Sequence, residues 1–403
     1  MDNLVYWVWI TQAFGTGNNR IWDIINSFDN VKNAYEALAN GEYSNVTKSE
    51  ELAVSHTHLL QTEELIKYCA KKEIRIISFD DETYPKRLKE IYNPPTILFC
   101  MGDLSFIDDE VTITVVGTRH PSPYSIKFAK RICDELAKVG VTLVSGFALG
   151  IDSMAHQAAL KNNGRTVAVL GCGIDVDYPK ENSAIKKVIA RHGAVITEFF
   201  PGTKPNGQNF PQRNRIMSGL SLGTLIIEAG PQSGALITAD LALQQGRDVF
   251  CVPPADLFEP RYSGVIRLIR EGAIPTFTHT DIMYEYYENF SHKINSINAN
   301  ENYSNKEKDS YLFDATDKDT SQKKEIIPKD ILAENKQKFI PEINYEELTD
   351  EQAKIVKLLE NGSLLADEIA DLAEIDVTNV LTILTELELF GIVEAQAGKR
   401  YSL

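Results

Sequence analysis

Six short apolar runs, rich in valine and isoleucine, occupy the middle of this 403-residue chain and most constrain its fold. Stretches of about 20–30 residues with helical spacing of apolar positions separate the runs. Strands that are buried on both faces and joined by crossover helices have this pattern. We therefore predict an α/β fold with a doubly wound parallel sheet, which binds ligands at the carboxyl ends of its strands. The runs are Val111–Val116, Val141–Val144, Thr166–Leu170, Ala194–Thr197, Thr224–Ile227 and Asp248–Val252.

Loops rich in glycine follow several of these runs. Glycine lets the backbone approach a ligand closely, and the free amides at the start of a following helix bind phosphate. Arg119 leaves the first run at the same edge, although a surface arginine on an ordinary turn explains it equally well. Together the loops predict a broad anion-binding edge. Its candidate residues are Gly117, Arg119, Ser145, Gly146, Gly173, Ser233 and Gly234.

Two nucleotide-binding signatures are absent from these loops. Neither the G-x-G-x-x-G pattern of dinucleotide sites nor the G-x-x-x-x-G-K-[ST] pattern of P-loops occurs. A nicotinamide cofactor and ATP hydrolysis at a P-loop are therefore not expected, and we expect no cofactor at all.

The segment Asn209–Leu220 places an aromatic residue beside two arginines just before a helix. Proteins hold single-stranded nucleic acid by stacking bases on aromatic rings and by pairing phosphates with cations. Phe210, Arg213 and Arg215 are candidates for both tasks. Alternatively, Phe210 packs into the core and one arginine pairs with Glu198 or Glu228. The residues alone leave both interpretations open.

The candidate catalytic groups do not form a recognisable catalytic set. They show neither a nucleophile–base pairing nor the spacing of metal ligands, so structural hydrogen bonding is the favoured role of each. We therefore expect a protein that is not an enzyme and holds no metal. These groups are Asp152, His156, Glu198 and Glu228.

Cysteine usage and hydropathy predict a cytoplasmic protein. Five cysteines lie far apart without a C-x-x-C pair, which favours reduced thiols and excludes a zinc module. No run of about 18 apolar residues occurs, so no membrane-spanning helix is expected. The first residues also lack the basic and small-residue features of a signal peptide.

The charge of the chain is unevenly distributed. The net charge of −16 argues against a protein that coats nucleic acid by bulk electrostatics. Residues 106–285 contain 18 basic and 18 acidic side chains, whereas residues 346–403 contain 4 basic and 13 acidic ones. An anionic ligand is therefore expected on the middle block.

Three further segments flank the predicted sheet domain of residues 76–288. Residues 1–75 read as helices, and the break at Gly15-Thr16-Gly17 indicates either a SAM-like or helix-hairpin-helix unit or a plain tight turn. Residues 289–344 are polar and read as a disordered linker. Residues 345–403 read as a winged helix, whose third helix, Val377–Leu389, carries two glutamates and no cation. An anionic helix reads duplex DNA poorly, which favours a protein-interaction or vestigial role for this segment.

These motifs, taken in order, resemble the DNA-processing protein A family (DprA, or Smf). The motifs are VGTR at 116–119, SGFALGID at 145–152, GCGID at 171–175, YPKEN at 178–182, NFPQRNRIMSGLS at 209–221 and SGALITA at 233–239. The match covers about 190 residues of the chain. Two departures, Pro253-Pro254 and Gly264-Val265-Ile266, lie near the region through which the family dimerises.

The resemblance implies a Rossmann-like sheet domain that binds single-stranded DNA without catalysis. Family members protect DNA taken up in natural transformation, load the RecA recombinase onto it in homologous recombination, and form homodimers. The family's DNA-contacting arginine falls on Arg119 and its lysine on Lys180, while its phenylalanine falls on Phe210. The remaining residues that the resemblance adds to the expected DNA site are Asn182, Arg213, Asn214 and Arg215.

Two other functions are alternatives to this one. Phosphoribohydrolases of the Lonely guy type have a similar fold, but Thr238 stands where their signature places the catalytic glutamate. A regulator that binds duplex DNA through the winged helix conflicts with the acidic charge of residues 346–403.

Overall fold

A computed structural model describes residues 3–42, 46–290, 349–359, 362–373, 375–389, 393–396 and 400–402. The chain divides into two compact units, residues 1–320 and 321–403. Nearly all of the predicted linker, residues 289–344, lies outside the described residues.

Five helices form the N-terminal region, as the apolar spacing predicts. The break at Gly15-Thr16-Gly17 separates the first two, and Gly15 and Gly17 both have positive φ. The helices are α1 (Leu4–Phe14), α2 (Arg20–Ser27), α3 (Val31–Ala39), α4 (Lys48–His56) and α5 (Leu59–Lys71).

A nine-stranded sheet forms the centre of the first unit. The order β1-β2-β6-β5-β4-β3-β7-β8-β9 is parallel from β6 to β9, whereas β1 and β2 are antiparallel additions at one edge. The six predicted strands are thus confirmed, and β1, β2 and β9 were missed. The strands are β1 (Arg75–Ser78), β2 (Ile97–Gly102), β3 (Thr112–Val116), β4 (Thr142–Ser145), β5 (Thr166–Val169), β6 (Ala194–Thr197), β7 (Gly223–Ile226), β8 (Asp248–Cys251) and β9 (Ile274–Pro275).

Helices cover both faces of this sheet, which confirms the doubly wound α/β fold. Apolar side chains of α7, α8 and α13 pack on one face, and those of α10, α11 and α12 pack on the other. The strand residues are buried on both sides because each strand lies between two helical layers. The helices are α6 (Lys86–Lys89), α7 (Pro123–Lys138), α8 (Ile151–Lys161), α9 (Ser183–His192), α10 (Asn209–Leu220), α11 (Gly234–Gln244), α12 (Ser263–Arg270) and α13 (His279–Phe290).

The N-terminal helices share one core with the sheet. Trp7 and Trp9 of α1 belong to the same buried cluster as Phe99 of β2 and Val195 of β6. The boundary predicted near residue 75 therefore falls at the start of β1, inside a compact unit.

The second unit has the winged-helix order of elements. Ile355, Ile369 and Leu384 form its core with other apolar residues of three helices. Its small sheet has the order β10-β12-β11. The elements are α14 (Asp350–Leu359), β10 (Leu364–Leu365), α15 (Ala366–Ala373), α16 (Val377–Leu389), β11 (Glu394–Gln396) and β12 (Arg400–Ser402).

No described helix in either unit combines the length and the apolar character needed to cross a lipid bilayer.

Candidate nucleic-acid interface

A cavity of about 550 Å³ opens at the carboxyl ends of β3 and β7. From β3 the chain crosses over to β4 on one side of this pair, and from β7 it crosses over to β8 on the other side. The cavity therefore lies at the switch point where doubly wound sheets bind ligands. The cavity thus opens at the edge of the sheet where the sequence predicts ligand binding. The lining includes Gly117, Arg119, Asp152, Phe210, Arg213, Asn214, Met217, Ser233, Gly234 and Thr238.

The loop after β3 presents Arg119 to solvent from a rigid backbone. The Thr118 amide donates to the Glu228 carbonyl at 3.0 Å. Gly150 has φ +79°, and a Cβ there would lie 2.5 Å from the Thr118 carbonyl oxygen, so the two loops approach each other closely. A β-carbon on Gly117 would also lie 2.7 Å from Ile151. The exposed guanidinium of Arg119 thus extends from a loop whose backbone is held in place.

Phe210 forms a half-buried wall between this cavity and a smaller cleft of about 60 Å³. A Cβ on Gly171 would lie 2.7 Å from the phenyl ring, so glycine is needed for the ring to pack there. The Tyr178 ring lies 5.8 Å from it, centre to centre. Lys180, two residues further on, is exposed. Tyr178 was missing from the predicted site, although its place in the YPKEN motif was the available signal.

Arg213 is buried beneath the cavity. Its Nη1 donates to the Val169 carbonyl at 2.5 Å, and a Cβ on Gly146 would overlap its guanidinium. Burial lowers the pKa of Arg213 to about 10, while Asp152 acts in the opposite direction. Arg213 therefore stays charged at neutral pH. Its position makes it a fixed positive charge under the site.

Arg215 lies on another face of α10, outside the cavity lining. Its Nη2 donates to Glu198 Oε2 at 2.5 Å, and the Arg215 and Glu198 side chains are only 9% and 2% exposed. Burial raises the pKa of Glu198, and Arg215 opposes that shift. The sequence left open that one arginine of this segment pairs with Glu198 or Glu228, and Arg215 is the one that pairs with Glu198. The structure does not bring the Arg215 side chain to the predicted DNA site.

Three other predicted site residues hold the loops rather than project into the cavity. Ser145 is fully buried and donates to the Val115 carbonyl at 2.7 Å. The Asn182 amide is also buried and donates to the Phe147 carbonyl at 2.9 Å. Gly173 is buried, and a Cβ there would lie 2.8 Å from the Gly202 nitrogen. Buried polar groups need such partners, which explains Ser145 and Asn182 without a ligand, and close packing explains Gly173.

The start of α11 closes the cavity on the side of β7. Ser233 caps the helix, because its hydroxyl accepts from the Ala235 amide at 3.3 Å. Gly234 is exposed, and no atom lies within 4 Å of where its Cβ would be. Asn214 is buried and donates to the Gly234 carbonyl at 3.4 Å. A helix start of this kind favours an anion.

The candidate catalytic groups have structural partners. His156 Nδ1 lies 2.7 Å from the Thr166 hydroxyl, and burial lowers the His156 pKa to about 3. Glu228 accepts from the Ser122 amide at 3.0 Å and from its hydroxyl at 2.7 Å. Asp152 accepts from the Ala148 amide at 3.2 Å. Across the part of the chain that the structure describes, no three His, Cys, Asp or Glu side chains cluster as metal ligands would.

Comparison with known proteins decides the family. The model of DNA recombination-mediator protein A matches residues 75–287, and that of the DprA winged helix domain matches residues 341–399. The chain belongs to the DprA family. It is 41% identical over 215 residues to DprA of Bacillus subtilis, covering 53% of this chain and 72% of that protein. It is 34% identical over 283 residues to DprA of Streptococcus pneumoniae, covering 70% and 98%.

A solved DprA structure has the same fold. The X-ray structure of Streptococcus pneumoniae DprA matches with a TM-score of 0.61 and 30% identity, over 69% of this chain and 95% of that one. The family resemblance inferred from the motifs is therefore confirmed. DprA membership gives the chain a role in DNA processing.

Proposed function

We propose that this DprA-family chain binds single-stranded DNA at the cavity between β3 and β7. The observation that supports the proposal most is that two guanidinium groups flank one aromatic ring. The Cζ atoms of Arg119 and Arg213 lie 5.7 and 5.9 Å from the centre of the Phe210 ring. A base stacked on such a ring has one exposed phosphate-binding cation, Arg119, beside it and the buried charge of Arg213 close by.

The predicted site residues divide into two groups under this proposal. Exposed or half-buried groups contact the DNA directly, with Arg119 and Lys180 on phosphates and Phe210 on a base. Buried groups fix the shape and charge of the site. The direct group also includes Gly117, Ser233 and Gly234, and the buried group consists of Ser145, Gly146, Gly173, Asn182, Arg213, Asn214 and Arg215.

The same proposal extends to the role of the bound strand. The chain protects incoming DNA and loads RecA onto it during natural transformation and homologous recombination, and it acts as a homodimer without catalysing a reaction. Family membership supports these steps. The rival hydrolase finds little support, because the cavity-lining side chain of Thr238 supplies no carboxylate.

A gel-shift comparison of single-stranded and duplex DNA of one sequence, at two salt concentrations, tests the central claim. Tighter binding of the single strand at both salts is expected, and equal binding of the duplex would contradict the proposal. Release of free base from nucleoside monophosphates would favour the hydrolase instead.

RecA filament growth on strands coated with single-strand-binding protein, with and without this chain, tests the loading step. Light scattering at high micromolar concentration tests the dimer.

A further inference from the structure

Helix α10 has two faces with different tasks. Phe210, Arg213, Asn214 and Met217 lie at positions i, i+3, i+4 and i+7, and all four line the cavity. Gln212 follows Phe210 by two residues, about 200° around the helix, and does not line the cavity. Gln212 therefore lies on the face of the helix that is turned away from the cavity.

Gln212 makes two hydrogen bonds with one side-chain nitrogen. Its Nε2 donates to the Thr16 carbonyl at 3.0 Å and to Glu198 Oε1 at 3.1 Å. The other oxygen of Glu198 accepts from Arg215, which stands three residues beyond Gln212 on the same helix. Gln212 thereby joins the buried ion pair to the turn between α1 and α2.

This turn is built to receive Gln212. Gly17 has φ +69°, and a Cβ there would overlap the Gln212 amide. On the other side of the turn, Asn93 Nδ2 donates to the Gly17 carbonyl at 2.7 Å. A glycine is required both for the backbone conformation and for the close approach of the side chain.

We propose that Gln212 is a positioning residue of the DNA site, anchored on the N-terminal turn at Thr16 and Gly17. The inference rests on the proposed function, because it assigns Gln212 the task of holding the Phe210 ring in register with a bound base. It also gives the N-terminal helices a role at the site, because the turn between α1 and α2 anchors Gln212. This role requires no contact between the turn and DNA.

The test uses full-length protein and a single strand with one 2-aminopurine, whose fluorescence falls when it stacks on an aromatic ring. Gln212→Ala removes both hydrogen bonds, and Gln212→Glu keeps the shape while placing a carboxylate against the Thr16 carbonyl and Glu198. Each variant is expected to weaken binding about three- to tenfold and to reduce the quenching that remains at saturating protein. Gly17→Ala should have the same effect. The double variant Gly17→Ala/Gln212→Ala should bind only slightly more weakly than Gly17→Ala, because both changes break the same contact between Gln212 and the turn.

The fluorescence at saturation separates positioning from a loss of stability. A variant that only unfolds more easily would regain full quenching at saturation, well below its melting temperature, and that result would overturn the inference. If Gln212→Ala does not fold, Gln212→Glu and Gly17→Ala provide the same readout. Arg119→Ala and Phe210→Ala serve as references in the same assay. If neither reference variant weakens binding, the proposed DNA site is wrong. If both reference variants weaken binding but the Gln212 variants bind like wild type, only the inference about Gln212 fails.

Discussion

The exposed guanidinium of Arg119 and the half-buried ring of Phe210 lie within cation–π distance, 5.7 Å apart. Arg213 approaches the same ring from a buried position. Of these two arginines, Arg119 is exposed to solvent, whereas Arg213 is a buried charge. The proposed DNA site therefore assigns different roles to the ring and to each of the two cations.

Arg119→Ala is expected to weaken binding of all single-stranded sequences alike. Loss of one phosphate contact should reduce the slope of log affinity against log salt by about 0.7. Gel shifts at several salt concentrations provide the slope. Arg191→Ala is the matched control, because Arg191 is an exposed arginine on α9 outside the cavity lining. An equal change in slope for both variants would remove Arg119 from the site.

Phe210→Ala is expected to cost about 1–3 kcal/mol of binding free energy with little change in the salt slope, because stacking rather than charge is lost. Phe210→Tyr should bind like wild type, since it keeps an aromatic face. Thermal melting is measured on the same samples. Normal binding with a lowered melting temperature would show that Phe210 only packs.

Arg215→Met is expected to lower the free energy of unfolding by about 3–5 kcal/mol, because Glu198 would remain buried without its cation. The double variant Arg215→Met/Glu198→Gln should recover part of that loss. Urea denaturation measures both effects. The salt slope for single-stranded DNA should stay at the wild-type value, and a slope reduced as in Arg119→Ala would instead place Arg215 on a phosphate.

His156 is expected to make the protein less stable as the pH falls below 6.5. Its pKa is about 3 in the folded state, against 6.5 when unperturbed, so the unfolded state binds the extra proton between these values. The contribution reaches about 1.4 kcal/mol per pH unit. His156→Gln should make the difference in melting temperature between pH 6.5 and pH 5 smaller than in the wild type. An unchanged difference would contradict the lowered pKa of His156 in the folded state.

Truncation is expected to have opposite effects at the two ends of the chain. A chain that ends at residue 290 should keep most of its affinity for single-stranded DNA, because the whole cavity belongs to the first unit. A chain that begins at residue 76 should fail to fold, because it lacks Trp7, Trp9 and the other α1 side chains of the shared core. Circular dichroism and gel shifts measure the two outcomes.

Local pattern was sufficient to predict the sheet and the edge at which the cavity opens. Strands β3 to β8 are continuous buried runs, and the alternation with helices forces them to be parallel. The carboxyl ends of such strands share one edge, so the loops carrying Arg119, Gly146 and Ser233 had to meet there. Strands β1 and β2 were missed because an antiparallel edge pair has no crossover helix to mark it.

The sequence by itself determined which residue types reach the cavity region, because strand ends and helix starts fix the position of the backbone. Only the tertiary structure decided which of them face a ligand. Arg213 and Arg215 are two residues apart on α10, and the rotation of that helix sends one beneath the cavity and the other to Glu198. The helix also contacts residues as distant in sequence as Thr16, whose pairing with Gln212 arises only when the chain is folded.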